Sequence, residues 1–578
     1  MNFTTETKNQ IEKQEIIQTK KGEVSEYLVK IVFKEKCSPE KFTIKWQEPQ
    51  IDMMGFWGPM NGTDNNITPE WWPRQVNSRT ASGLPLFTLY SKANENKVTV
   101  ALSDPSTPCT LSTGAVEENG CVSVKIDLFS QLTSAIKAYE VTIRIDRRKI
   151  PFYDAIKDAR EWWDTLGYKC AYVPDNAKLP MYSTWYSFHQ KTIPEEILYE
   201  CKIAKEYGMD TVIVDDGWQT DDNSRGYAFC GDWQVCEKKI PDMKKFVDDV
   251  HAIGMKFMIW FSVPFVGSES KNYERFKGKY LRFKGNTGEA VLDPRFKEVR
   301  DFLTDVYVSS VEKYGWDGLK LDFIDSFSLT ENSPTDFENM DTVSVEEGVQ
   351  LLLNQTMEKL RKINPEILIE FRQSYIGPAI SKYGNMFRVG DCPTDPIYNR
   401  INSLKLRLTS KDTAVHSDMI MWNENDTNEG VLYQLLAVMF AVPQISIRFD
   451  NITSDHKRLL KNYLSFWRNH RETLLNGELT LLDAEANYSL AQSKNDKESV
   501  AVLYQGVVKK AENLENEYVF NSTGYDGIYV DASKERNYEI YDIFGNEYQE
   551  GKIPAGVSKL PVKNCEMVRL FLRKEKQQ

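Results

Sequence analysis

The sequence predicts a mixed α/β and all-β chain: a central (β/α)8 TIM barrel between an N-terminal β-sandwich and a small C-terminal β-sandwich. Three observations predict it. Up to about residue 150 the chain reads as short alternating strands broken by turn residues, the pattern of a sandwich. From about 180 to 450, eight apolar strand candidates are each followed by an amphipathic helix or a long loop, the count of a closed barrel. From about 480 the strand pattern returns. The expected domains are 1–150, 151–480 and 481–578.

In order, the first domain carries strand runs such as Tyr27–Phe33, Lys97–Leu102 and Ala138–Ile145, and a helix from Tyr153 to Leu166 leads out of it. The barrel strands are expected at Met181–Phe188, Thr211–Val214, Met255–Val263, Gly318–Ile324, Ile367–Arg372, Met386–Gly390, Ala414–Met421 and Gln444–Phe449. Helical periodicity fits Glu195–Tyr207, Met243–Ile253, Lys297–Tyr314, Val345–Lys362 and Gly430–Phe440. An open doubly wound sheet is the competing arrangement. It usually opens on a Gly-rich phosphate turn after its first strand, and this sequence has none there. The last domain is expected around Ser499–Tyr504, Tyr538–Ile543 and Met567–Leu572.

Composition narrows the function. At 578 residues and a net charge of −12, the chain suits two to four domains, and neither nucleic acid nor an anionic membrane is an expected main partner. No run of 18 apolar residues occurs. Met1–Lys8 lacks a basic segment followed by an apolar one, so a cytoplasmic location is expected. Nine scattered cysteines without a CxxC pair read as reduced thiols, and five dispersed histidines disfavour a His-built metal centre. The 13 Trp fit either a sugar cleft or a large core.

The chemistry concentrates at strand ends. In Gly318–Asp325, Lys320 and Asp322 are two apart on a strand and share a face. A cation beside Asp322 favours its ionised form, the state a carboxylate nucleophile needs. Thr211–Trp218 repeats the design, with Asp215, Asp216 and Trp218. The other ends supply Trp185 and His189, Trp260, Arg372, Arg388 and Asp391, Asp418, and Arg448. Many carboxylates without a His cluster suit glycoside hydrolysis. A divalent cation site is the other use of such acids, and Lys320 opposes it. A lone Asp at a strand end is more often a cap or turn residue, so Asp325 and Asp418 also read as caps or supporting groups, and Asp293 as a cap. His189 and His416 also read as core histidines.

Val214–Gln219, Leu319–Asp322 and Gly390–Ile397 resemble, in that order, the motifs of the glycoside hydrolase family 36 α-galactosidases, melibiase-like retaining α-glycosidases. Trp185–Tyr186 and the three-part layout agree with that family. The resemblance implies Asp322 as nucleophile, Asp391 as acid/base, and Asp215 and Asp216 on the 4- and 6-hydroxyls of galactose. It further implies Lys320 on ring hydroxyls, Arg388 near the 2-hydroxyl, and Trp185, Trp218 and Trp260 around the sugar. Trp57, Trp71 or Trp72 would reach over from the N-terminal domain. An oligosaccharide or glycoside is the implied partner, no metal or organic cofactor is implied, and a homo-oligomer is allowed.

The chain departs from the pattern after the fifth strand, where Glu370–Tyr375 replaces a Cys-Ser-Gly-Gly stretch and sets Arg372 near the 2-hydroxyl or the neighbouring group. Pro393 is an extra residue, and His189 has no counterpart. A charged or substituted sugar is therefore an alternative occupant, transglycosylation an alternative outcome, and a non-catalytic sugar-binding protein the reading from another class. Asp322 is expected to be held ionised by Lys320, and Asp391 to be raised by its surroundings.

Overall fold

The computed structural model describes residues 1–284, 287–331 and 333–572. The N-terminal part packs a five-stranded antiparallel sheet on a six-stranded one. Its core is the inward face of alternating strands, for instance Val29, Ile31 and Phe33 against Ile44, Val124 and Ile126. Strands continue to Asp146. The linker helix Phe152–Thr165 then buries Phe152, Ile156 and Trp163 in the core shared with the barrel.

Eight parallel strands follow: β1 Met181–Ser183, β2 Thr211–Val214, β3 Lys256–Ser262, β4 Gly318–Asp322, β5 Leu368–Arg372, β6 Met386–Arg388, β7 Ala414–His416 and β8 Gln444–Ile445. They are hydrogen-bonded in the order β7-β6-β5-β4-β3-β2-β1-β8. The ring closes between β7 and β8 through Val442 N–H to Val415 O (2.8 Å) and Ile420 N–H to Gln444 O (2.8 Å). Helices follow every strand except β5, whose connection to β6 holds no helix among the described residues.

Period-2 alternation sorts the strand side chains. Leu319, Leu321, Ile369, Phe371 and Val389 face the helices. Met181, Ile213, Met258, Leu368, Met386 and Ala414 form an apolar plug inside the barrel. Two residues further along the same strands come Asp215, Trp260, Glu370, Arg388 and His416, and Lys320 enters beside them from β4 because it pairs in register with Trp260 and Glu370. Asp322 and Arg372 end their strands one layer higher. The plug therefore forms a floor, and chemistry begins two residues above it.

Strand lengths differ from expectation at the ring's seam. β1 stops at Ser183 because the chain turns into a short helix, Trp185–Phe188. β7 and β8 are three and two residues long, since their continuations bend out to close the ring. A three-stranded antiparallel sheet, Phe265–Gly267, Tyr280–Lys284 and Glu289–Leu292, is inserted after β3. The C-terminal part begins with strand Glu478–Leu482 and packs a seven-stranded sheet against a three-stranded one. Its own core includes Val519, Val530, Ile540 and Val568. Among the described residues no helix is long and apolar enough to cross a membrane.

Candidate active site

Asp322 closes β4 and is almost wholly enclosed. Phe323 adopts a left-handed backbone, φ 65°, and its N–H donates to Asp322 Oδ1 at 2.8 Å. Arg372 Nε donates to the same oxygen at 2.5 Å, and the Tyr375 hydroxyl lies 3.4 Å from it. Oδ2 accepts the Trp260 indole N–H at 3.1 Å. Burial alone would raise this carboxyl, but Arg372, then Lys320 and Arg388, outweigh it and hold Asp322 well below the carboxylate range.

Lys320 thus acts on Asp322 only at a distance, a correction to the expected pairing. Its Nζ donates to Asp215 Oδ2 at 2.6 Å. The reason is its height: Lys320 sits one inward layer below Asp322, level with the end of β2. The Asp215 carboxyl is raised by burial despite that contact, and its Oδ1 accepts the Asp216 N–H at 3.0 Å. Asp216 is pushed up to about 6, mainly by burial, while Gln219 Nε2 and Gln190 Nε2 donate to its two oxygens at 2.7 and 2.8 Å.

Asp391 lies in the loop after β6 with its side chain 52% exposed. Arg388, fully buried, reaches it with Nη1 at 2.9 Å and also contacts Asp418 Oδ1 at 2.5 Å. The guanidinium Nε is 3.3 Å from Glu370 Oε1. Burial, the largest single influence, pushes Asp391 up, but Arg388, helped by Lys320 and Arg372, outweighs it, so Asp391 ends below its ordinary value. This corrects the expectation that its surroundings raise it. The acid that burial does raise is its neighbour Asp418, which accepts the Tyr186 hydroxyl at 2.9 Å and the Cys392 N–H at 2.7 Å. Asp418 is wholly enclosed and cannot reach a bound ligand.

Two tryptophans leave the predicted site. Trp218 is fully buried in an aromatic cluster with Trp233, Phe261 and Trp316, on the outer side of β3. Gly217 causes this. Its φ of 112° turns the chain away from the rim, where a Cβ would stand 2.5 Å from the Gln190 backbone. Trp57 is buried at the seam with helix Pro396–Thr409, its ring 6.0 Å from Lys405 Nζ, rather than over the pocket. Trp71 and Trp72 are each 71% exposed.

What the N-terminal domain brings to the rim is different. Arg79 donates to Asp325 O and Phe327 O at 2.7 and 2.6 Å, and Gly83 N–H donates to Ser374 O at 2.7 Å. These contacts brace the loops after β4 and β5.

Trp260 and half-buried Trp185 stay at the rim, as does His189. The His189 ring meets Trp185 edge-on at 4.8 Å, and its buried Nδ1 has no hydrogen-bond partner among the described residues. Burial and Arg225 lower its pKa, while Asp215 raises it. His189 also lines a cavity of about 590 Å³ that contains Lys191 and Arg225. His416 is a satisfied core residue, bonded to Ala177 O at 2.8 Å. Asp293 is paired with Arg295 in a fully buried ion pair. Among the described residues no group of three His, Cys, Asp or Glu is arranged to hold a metal.

Glu370, Tyr375, Gln190 and Gln219 were not singled out as site residues from the sequence. Gln219 lies inside the Asp-Asp-Gly-Trp-Gln motif and could have been. Glu370 stands near the end of its strand among the rim acids, but its contact with Arg388, like the contacts of Tyr375 and Gln190, comes from a different strand or loop and has no local signal.

The site is thus a carboxylate-rich, aromatic-lined rim at the C-terminal end of a parallel eight-stranded α/β barrel. Residues 180–398 match the Melibiase family model. Among curated proteins, the α-galactosidase Mel36A of Lactobacillus acidophilus is 31% identical over 158 residues, 25% of this chain and 20% of that protein. The bifunctional α-galactosidase/sucrose kinase AgaSK of Mediterraneibacter gnavus is 32% identical over 132 residues, 21% of this chain and 14% of that protein. The matched segments thus span a fifth or less of these relatives.

Over the whole fold, the α-galactosidase AgaA of Geobacillus stearothermophilus, solved with raffinose, superposes with a TM-score of 0.65 at 15% identity, covering 95% of this chain and 79% of that one. An α-galactosidase from Lactobacillus brevis gives 0.64 at 12% identity, covering 100% and 86%. Most of the barrel is thus similar to the Melibiase family, and the three-part fold resembles that of the solved glycoside hydrolase family 36 α-galactosidases.

Proposed function

We propose that the protein is a retaining exo-α-glycosidase, an α-galactosidase that releases terminal α-linked galactose by double displacement. One observation carries the reading. Asp322 is fixed as a carboxylate at the end of β4, on the same rim as the half-exposed Asp391 from β6, and close enough that its charge raises Asp391. Asp322 attacks C1 while Asp391 gives its proton to the glycosidic oxygen. Asp391 then takes a proton from water as that water displaces Asp322. Arg388 holds Asp391 low in the open site. A bound glycoside that strips water from Asp391 moves it towards the protonated form the first step needs.

Asp215, with Lys320 behind it, and Asp216, with Gln190 and Gln219 behind it, are proposed to hold the hydroxyls of the non-reducing sugar. Trp185 and Trp260 would pack its apolar face. Raffinose is the ligand of the Geobacillus structure, and raffinose-type oligosaccharides are the substrates proposed here. A cytoplasmic location belongs to the same proposal, supported by nine unbridged cysteines. So does a homo-oligomer, which rests on the family resemblance alone.

A second reading, a negatively charged or substituted sugar, is favoured by the cavity lined by His189 and Gln190. Lys191 and Arg225 line it, and neither has a carboxylate partner among the described residues, whereas Arg448 there is paired with Glu196 and Glu200. Arg372 does not serve that reading, since Asp322 occupies it. A panel of nitrophenyl α-glycosides that includes galacturonide and 6-sulfated or 6-phosphorylated galactosides decides between them. Fastest turnover of plain α-galactoside, with the α-anomer released first, supports the proposal. Turnover of charged sugars alone replaces the sugar, and release of the β-anomer ends the retaining mechanism.

A further inference from the structure

We propose that Arg372 is a positioning residue that sets the balance between the two half-reactions: it holds Asp322 Oδ1 so that Oδ2 attacks the sugar, and it stabilises Asp322 as the departing group when water releases the sugar. This rests on Asp322 being the nucleophile.

The two oxygens of Asp322 are unequal. Oδ1 accepts from Arg372 Nε (2.5 Å) and Phe323 N–H (2.8 Å), with the Tyr375 hydroxyl at 3.4 Å, whereas among the described residues Oδ2 has only the Trp260 N–H, at 3.1 Å. Oδ2 is the freer oxygen. Register places the arginine: Lys320 pairs with Glu370 across β4 and β5, and two residues on, Asp322 lies beside Arg372. The guanidinium is itself held. Nη1 donates to Gln373 O at 2.7 Å, the plane lies 4.9 Å from the Phe323 ring centroid, and Asp325 stands 3.9 Å away.

The consequence follows from charge. In the free protein Arg372 faces a full carboxylate. Once Oδ2 is bonded to C1, Asp322 is an ester and that attraction is mostly lost, so Arg372 opposes the first step. In the second step the C1–Oδ2 bond breaks and its electron pair returns to Asp322. The water oxygen bonds to C1, and the water proton passes to Asp391. Arg372 meets the returning charge already in place, with no rearrangement. A guanidinium does not lose its proton in this range, so the effect persists across the working pH. Release of the sugar is accelerated, and the glycosyl-enzyme does not accumulate.

The test is rapid-mixing kinetics of the full-length protein with a nitrophenyl α-galactoside, using wild type, Arg372→Met and Arg372→Lys. Wild type should show no burst. Arg372→Met should release one stoichiometric burst of nitrophenol and then turn over on the order of 100-fold more slowly, the loss expected for removing a charge-stabilising donor. Its KM should fall together with kcat, a glycosyl adduct should appear in the intact mass, and added azide should speed turnover. Arg372→Lys should lie between the two.

A folded Arg372→Met that slows without burst or adduct, or does not slow, overturns the inference. If Arg372→Met does not fold, Arg372→Lys decides by the same burst. Asp322→Gly separates the two levels. If it is inactive and azide rescues it, the nucleophile stands whatever Arg372 does. If it still hydrolyses unaided, the proposed function itself fails.

Discussion

Lys320 bonds Asp215 at 2.6 Å, and the neighbouring carboxylate Asp322 takes its cation from Arg372 instead. Both members of the Lys320–Asp215 pair are buried, so the pair is a unit: neither charge is tolerable there alone.

Lys320→Met should therefore destabilise the fold by about 3–5 kcal/mol, the loss typical of a buried ion pair with one partner removed. Urea unfolding measures it. Lys320→Met combined with Asp215→Leu should recover part of the loss, since no charge is then stranded. Additive losses would show that the two residues are not coupled.

Asp418 and Asp391 share Arg388, and this fixes a sign for pH dependence. In the proposed mechanism Asp391 must be protonated for the first step, so its ionisation sets the basic limb of kcat/KM. Asp418→Asn removes one negative neighbour and leaves Arg388 to Asp391 and Glu370. The folded-state pKa of Asp391 then drops further, and the basic limb should move to lower pH. A pH profile of kcat/KM for wild type and variant checks this, and a basic limb that stays or moves upward contradicts the assignment of Arg388 to both acids.

Trp218 and Trp260 should part company on substitution. Trp218 packs among Trp233, Phe261 and Trp316, so Trp218→Ala should cost about 3–5 kcal/mol of stability with KM little changed in the protein that still folds. Trp260→Phe keeps an aromatic ring, though a smaller one, and removes the N–H to Asp322 Oδ2. It should lower kcat more than it lowers stability, as paired melting curves and steady-state kinetics would show.

The contrast marks what the sequence made legible. Apolar runs ending in acids place Asp215, Asp322 and Asp391 on one rim, because parallel strands of a barrel end together and alternation decides which face a residue takes. Trp218 follows the same motif yet lies behind the wall, since one left-handed glycine reverses the direction of the chain. The Arg372–Asp322 contact depends on register between β4 and β5, which no local pattern encodes. The lowered Asp391 depends on Arg388 being drawn in by Glu370 from β5 and Asp418 from β7. Trp57 reads as a pocket residue only if its domain tilts over the rim, whereas Arg79 and Gly83 are the groups that touch it. Local chemistry was readable, and contacts made between strands were not.

The central claim is that Asp322 becomes covalently bonded to the sugar. Inactivation with 5-fluoro-α-galactosyl fluoride, followed by proteolysis and peptide mass mapping, tests it directly. A single glycosyl adduct on the peptide containing Asp322, absent in Asp322→Asn, is the predicted result. An adduct on another carboxylate, or steady turnover of the reagent to the β-anomer with no adduct, would contradict it.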